Sequence, residues 1–371
     1  MASPKDFINL LFLGRKRISF DEYVDFVLHH PEYGYYGKSN KRRGLGEDFY
    51  TAPLLSFAFG KCISNFLIST LRFFPSNKKL TILDVGAGNG MLLKDIFSSL
   101  SAEREKNIQF FFCAVEQKDI LRNEIEERFK TLSQHIGINE KLEDVESFDG
   151  VACFNEFFDA LPFSRVRIEG VRREEIYVEC HDGVFEEKKG KISSDIKSAE
   201  CRRWFKDFLG RGEVDICPFY EDIFKKLSAK MNSGFVLIID YGDSAYKLYD
   251  KDFPQSTLRC FSRNRVSKNP YILQGEQDIT FSVNFSEIAF QAKRHGFKVI
   301  DFISLQTFLI RWGILDIVSS LASDSAIDIK RYNEIQKIKN LLLPGSLGEV
   351  FKVLMLAKNI KEDSFCKETD F

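Results

Sequence analysis

No two of the eight cysteines stand at a C-x-x-C spacing, and neither charge dominates: 53 Lys and Arg face 54 Asp and Glu, for a formal net charge of -1. The first absence argues against a zinc site built from cysteine pairs. Thiols such as Cys113 and Cys153 lie in apolar, strand-like runs where they pack as small hydrophobes, so reduced cysteines, a reducing compartment and no metal are expected. The adjacent His29 and His30 point apart and do not suggest a shared metal site. The balanced charge leaves no basic face for general nucleic-acid affinity, and "NKRRG" at 40–44 reads as a solvated loop. No apolar run reaches the roughly 20 residues needed to cross a bilayer. "FISLQTFLIRWGILDIVSSLA" is interrupted by Arg311 and Asp316. The start, "MASPKDFINLLFLGRKRISF", has neither an apolar signal core with a cleavage site nor the composition of a transit peptide. The expected location is the cytoplasm in a prokaryote, with the mitochondrial matrix as the alternative in a eukaryote. Neither an internal repeat nor a low-complexity segment interrupts the chain.

What is present is a core-building chain. With 44% apolar and 29% charged residues in 371, it can form one elaborated domain or two intimately packed ones. From about Leu80, strand and helix alternate. Leu80 to Val85 leads into a helix beginning near Asn89, and Gln109 to Val115 leads into "QKDILRNEIEERFKTL". "GVACF" at 150–154 and "FVLIIDYG" from Phe235 are two more buried strands. This alternation predicts an α/β fold whose mostly parallel sheet has helices on both faces. Residues 1–75 form a helical and aromatic-loop region, 76–165 the nucleotide-binding core, and 166–233 an inserted hairpin and helices with turns at Glu169–Gly170 and Asp182–Gly183. Residues 234–371 complete the sheet, with a helical insertion near 305–343 before the final strand "EVFKVLMLA". The inserted pieces are expected to form a lid or second lobe at the carboxyl ends of the strands, where open α/β sheets bind ligands.

The loop "TILDVGAGNG", 81–90, carries the chemistry. A dinucleotide fingerprint has glycine at its sixth position, but Met91 stands there. The pattern is instead Asp84-x-Gly86-x-Gly88-x-Gly90. An acidic residue before a glycine loop suits a zwitterionic ligand without phosphate, and S-adenosylmethionine is that ligand. Backbone at Gly86 and Gly88 would pass beneath its methionine and ribose, Asp84 would hold the ammonium, and amides opening the next helix would favour the carboxylate. Glu116, ending "FFFCAVE", is placed to accept hydrogen bonds from both ribose hydroxyls. "CFNEFFDALPF" sets Asn155, Glu156 and Asp159 beyond a buried strand among Phe154, Phe157, Phe158 and Phe163. That loop is expected to face the transferable methyl group, with Asn155 also on the cofactor side. A plain structural role remains open for Glu156 and Asp159 as caps of the helix or turn that follows, and for the phenylalanines as core.

At these residues the chain resembles a known family. "FDEYVDFVLHHPEYGYYGKSN", "GEDFYTAP", "TILDVGAGNG", "NEFFDALP", "VLIIDYG", "GEQDITFSVNF" and "GSLGEVFKVLMLA" resemble, in that order, the MidA-like methyltransferases. This is the family of the mitochondrial complex I assembly factor that methylates an arginine on a complex I subunit. The resemblance implies a Rossmann-like class I methyltransferase fold with family-specific insertions, S-adenosylmethionine as cofactor, and a protein arginine as acceptor. Three positions depart from the family pattern: Ala52 in Asp48-Phe49-Tyr50-Thr51-Ala52-Pro53, Asp243 after "DYG", and Gln277 in Gly275-Glu276-Gln277-Asp278. They bear on the acceptor side, while the glycine and Glu116 elements match without change.

A guanidinium is a poor nucleophile, so an enzyme must orient one nitrogen and hold the charge on the others. Glu156 is the first candidate and Asp159 the second, with Phe157, Phe158, Tyr35 and Tyr36 as walls that exclude water and stack on the planar group. "PEYGYYG" reads equally as a packed turn. "FSRNR" and "GEQDIT" are further substrate-contact candidates without assigned chemistry. Two other functions stay open: methyl transfer to RNA or a small molecule, and an assembly chaperone that keeps the cofactor pocket but works by binding its client.

Overall fold

The structure is a computed structural model that describes residues 4–37, 56–75, 78–102, 110–132, 136–262, 265–322, 329–343 and 345–361. "NKRRG", "GEDFYTAP" with Ala52, and Cys366 lie outside the described residues. The chain divides into two compact units.

One unit comprises the described residues of Tyr50–Phe157, Asp222–Gly242 and Ala289–Phe371. Its strands are β1 (Leu80–Val85), β2 (Phe110–Val115), β3 (Ile136–Asn139), β4 (Phe148–Asn155), β5 (Met231–Asp243), β6 (Lys298–Ser304) and β7 (Phe351–Lys358), in the sheet order β6-β7-β5-β4-β1-β2-β3. The pairs β3–β2, β2–β1, β1–β4 and β4–β5 are parallel, and β7 runs antiparallel to β5 and β6. Strands covered on both faces need apolar side chains at successive positions, which is how "LTILDV" and "GVACF" read. Chain direction across the sheet reverses between β1, which leads toward β3, and β4, which leads toward β7. In open α/β sheets ligands bind at such a switch point, beyond the carboxyl ends of the strands.

Helices α1 (Phe57–Thr70), α2 (Met91–Ala102) and α3 (Asp119–Lys130) belong to this unit. Segment 305–343, expected from sequence as an insertion on the ligand side, forms helices Leu305–Arg311, Ile314–Ala322 and Ile329–Leu342. These share the unit's core: Leu305, Phe308, Leu309, Ile314, Ile338 and Leu341 are buried with Phe66 of α1 and Phe235 of β5. Phe66 sits edge-on to Phe235 at 6.3 Å and to Trp312 at 5.4 Å. Burying such a ring contributes about 1.5–3 kcal/mol, so covering the sheet outweighs leaving these helices as a free lid. Among the described residues, no single helix is long and apolar enough to cross a membrane. Sequence reading missed β3 and β6. β3, "IGIN", is four half-buried residues containing a glycine, too short for a period to register.

The other unit comprises the described residues of Met1–Phe49, Phe158–Glu221 and Asp243–Ile288. Strands Arg17–Ser19, Arg172–His181, Ser164–Glu169 and Arg211–Ile216 lie in that order, with Val184–Gly190 also on Arg172–His181. Both expected turns join these antiparallel strands, with Gly170 at φ +58° and Gly183 at φ +81°. Helix Asp195–Phe205 packs on the sheet through Cys201 and Phe205, against Val166, Ile168, Val214 and Ile216. Ser194 opens that helix by accepting from Lys197 N at 3.3 Å. Lys197 is buried, and its ammonium is met by Asp21 at 2.8 Å and Glu175 at 2.7 Å.

Candidate active site

Strand register explains how scattered residues reach one edge. Val85 of β1 pairs with Val115 of β2 on one side and Phe154 of β4 on the other. The next residue on each strand is Gly86, Glu116 or Asn155, so three residues nominated from sequence leave the sheet together. Asp84, one rung earlier, is 3% exposed.

The three glycines have different tasks. Each adopts positive φ: +75° at Gly86, +56° at Gly88 and +74° at Gly90, a region costly for other residues. A Cβ at Gly86 would come within 2.7 Å of the Phe157 ring, and one at Gly90 within 3.0 Å of Ile125 on α3, whereas one at Gly88 would meet nothing within 4 Å among the described residues. Gly86 and Gly90 therefore permit close packing, and Gly88 keeps open space over the loop. Gly86 and Ala87 donate to Val115 O at 2.9 and 3.1 Å, and Arg128 of α3 donates to Asn89 O at 2.9 Å. The loop is thus held from β2 and from α3.

The Glu116 carboxylate accepts from Gly88 N at 2.9 Å and Lys118 N at 3.1 Å, one bond per oxygen. Each oxygen keeps lone-pair capacity for a further donor such as a hydroxyl. Burial raises the Glu116 carboxyl above its ordinary value, against the lowering effect of those amides and of Lys118 and Arg122. Asp84 is raised further, to about 7, first by burial and then by the neighbouring charge of Glu116. Two buried carboxylates beside an open glycine backbone suit a ligand that brings an ammonium and hydroxyl donors.

Asn155 and Glu156 follow at the end of β4. Asn155 Oδ1 is buried and has no hydrogen-bond partner among the described residues, while its Nδ2 lies 3.4 Å from Glu156 Oε1. Glu156 takes φ +50°, uncommon outside glycine, and its N–H is fixed on Ile239 O of β5 at 2.9 Å. Backbone strain of this kind concentrates at functional sites. The residues after it form turns and lead into strand Ser164–Glu169, so neither Glu156 nor Asp159 has a following helix to cap. The Phe157 ring meets Phe154 edge-on at 5.3 Å.

A family profile described as S-adenosyl-L-methionine-dependent methyltransferase matches residues 62–303. The chain belongs to that family. Its cofactor is S-adenosylmethionine, and it is a methyltransferase. Two curated relatives are named protein arginine methyltransferase NDUFAF7, mitochondrial. That of Danio rerio is 27% identical, with 95% of this chain and 87% of the relative covered. That of Homo sapiens is 25% identical, with 91% and 80% covered. The crystal structure of a Burkholderia thailandensis protein bound to S-adenosyl-homocysteine shares the fold, with TM-score 0.81 and 23% identity over 98% of this chain and 96% of that one.

The remaining nominated residues of the methyltransferase lie in the other unit. "PEYGYYG" is a turn packed on the end of helix Phe20–His29: Tyr35 N and Tyr36 N donate to Val27 O and Leu28 O, both at 2.8 Å. A Cβ at Gly37 would fall 1.9 Å from His30 O. Tyr35 is buried, while Tyr36 stacks on His29 at 5.7 Å and donates its hydroxyl to Asp278 at 2.8 Å. Burial, then the charges of Asp278 and Asp159, push the Tyr36 phenol well above its usual range. Thr280 donates to Asp159, at 3.0 Å to its carbonyl and 3.2 Å to its carboxylate. "GEQDIT" thereby gains a definite place through Asp278 and Thr280. Phe158 is a core residue, edge-on to Tyr220 at 5.6 Å. Of the family departures, Asp243 accepts from Ser244 N at 2.8 Å, and Gln277 is buried and donates to Asn269 O at 3.1 Å. Arg122 and Arg128 were not singled out from sequence. Their partners include main-chain carbonyls, which every residue type supplies.

Proposed function

We propose that this methyltransferase modifies an arginine side chain of a protein client. The observation carrying the reading is Glu156, a carboxylate held by a strained backbone one residue beyond the β4 edge that also bears Asn155. The names of the relatives, matched over most of both chains, support the same acceptor. S-adenosylmethionine supplies the methyl group as a sulfonium. Glu156 would hold the guanidinium charge away from the attacking nitrogen and orient that nitrogen. Transfer of the methyl group would leave S-adenosyl-homocysteine and require the guanidinium to lose one proton, which Glu156 would accept or pass to water. Asp84 would pair with the ammonium, Gly86 to Gly90 would pass beneath the methionine and ribose, Glu116 would take the ribose hydroxyls, and Asn155 Oδ1 offers an acceptor.

Asp84 gives a pH test. In the protein without ligand, the folded Asp84 keeps its proton up to about pH 7, whereas an unfolded aspartate releases it near 3.9. This group's contribution to stability is therefore full below about pH 4, declines as pH rises toward 7 and levels above it. Pairing with an ammonium requires the ionised form, so affinity for S-adenosyl-homocysteine should rise through the top of the same window. Calorimetry is expected to give a Kd about 10-fold weaker at pH 6 than at pH 8, by the ionised fraction of a group titrating near 7. Asp84→Asn should flatten this dependence; a slope that survives in the variant would remove Asp84 from the ammonium site.

The acceptor is tested by incubating the protein and methyl-labelled cofactor with lysate from a strain lacking this gene. Label is expected in a protein band whose hydrolysate contains methylarginine. Label in RNA or a small molecule would replace the proposal with the corresponding methyltransferase. A client bound without label would favour the chaperone function.

A further inference from the structure

We propose that Arg122 is a positioning residue for the cofactor, acting through Glu116; this rests on Glu116 as the carboxylate that takes the ribose hydroxyls. Arg122 lies in the first turns of α3, which begins three residues after Glu116. Its Nη1 donates to the main-chain carbonyls of Glu116 at 2.7 Å and Gln117 at 2.6 Å. Nη2 donates to the Asp119 carboxylate, and Glu140 stands 3.9 Å away. On the other side, Glu116 N donates to Asn139 O of β3 at 3.0 Å. The main chain at 116 is therefore anchored by its N–H to a strand and by its C=O to a guanidinium. From that anchored backbone, the side chain reaches Gly88 N and Lys118 N.

A planar guanidinium suits this task because Nη1 can donate its two hydrogens to the neighbouring carbonyls of 116 and 117 while Nη2 holds the group in place on the Asp119 carboxylate. Its side chain is only 19% exposed, so water does not freely take its place. Without the guanidinium, the carbonyls of 116 and 117 lose their shared partner and the carboxylate must be ordered at the moment of binding, which weakens affinity. The positive charge also favours the ionised, accepting form of the carboxylate against its burial. Arg122 touches no reacting atom; its effect passes through one neighbour.

A double-mutant cycle reads that dependence. S-adenosyl-homocysteine binding is measured by calorimetry for wild type, Arg122→Met, Glu116→Ala and the double variant, each well below its melting temperature. Glu116→Ala is expected to weaken binding about 10-fold or more, and Arg122→Met about 10-fold, the scale of one hydrogen bond to a charged group. In the Glu116→Ala background the Arg122 substitution should add less than about 2-fold, since its route is already gone. Equal factors in both backgrounds would mark Arg122 as a structural residue and overturn the inference. So would an unchanged Kd in Arg122→Met beside a weakened Glu116→Ala, an outcome that leaves the ribose assignment standing. An unchanged Glu116→Ala would instead overturn the ribose assignment, and the inference with it. Arg122→Lys, which keeps the charge and one donor, goes through the same cycle if the methionine variant does not fold. If neither folds while Glu116→Ala does, Arg122 is structural and the inference fails.

Discussion

Replacing Glu156 by glutamine is expected to lower methyl transfer roughly 100-fold or more while leaving the Kd for S-adenosylmethionine unchanged, the scale of deleting one preorganised electrostatic contact. Glutamine keeps the size of the side chain and an oxygen that can accept from Asn155 Nδ2, now 3.4 Å away. The N–H bond to Ile239 O depends only on backbone and survives the change. What is lost is the charge. A group that acts on a developing cation is worth more in the transition state than in cofactor binding, hence a fall in turnover at constant affinity. A purely structural Glu156 would give the opposite pattern, a lower Tm with little change in turnover. Melting temperature, cofactor affinity and methyl transfer should be measured on the same preparations of wild type, Glu156→Gln and Asp159→Asn. Full activity in the first variant rejects the assignment. If Asp159→Asn alone is inactive, the role passes to the aspartate that Thr280 holds.

Gly88→Val should abolish cofactor binding in a protein that still folds. At φ +56° a β-branched residue pays about 1–2 kcal/mol in left-handed strain. A loss of that size lowers Tm by several degrees without unfolding a domain. The larger effect is on the ligand, because a Cβ at this position meets nothing within 4 Å among the described residues and its methyl groups would fill the space where the ligand is placed. The Gly88 N–H that Glu116 accepts would also be displaced from its 2.9 Å contact. Calorimetry with S-adenosyl-homocysteine should detect no binding at concentrations that saturate wild type, with the circular dichroism spectrum retained. Wild-type affinity in this variant would show that the ligand lies elsewhere. Gly90→Ala is a useful contrast, since its Cβ would press on Ile125 at 3.0 Å and act through the packing of α3.

By itself the sequence determined the glycine loop and its immediate frame. A positive φ at 86, 88 and 90 is a local demand that only glycine meets cheaply, so it is written in residue type. The buried strands around it are equally legible, because coverage on both faces requires unbroken apolar runs. Glu116 follows from its position at the end of the second such run. Tertiary structure alone decided which side the 305–343 helices cover, since an amphipathic period states that a face must be buried but not against what. It also decided the partners of the polar residues. Tyr36 meets Asp278 across 242 residues and Thr280 meets Asp159 across 121, and such bonds leave no local pattern. The same holds for Arg122 and Arg128, whose carbonyl partners have no side-chain identity to read, and for Glu156, whose left-handed backbone follows no glycine signal and is fixed by a bond to the neighbouring strand.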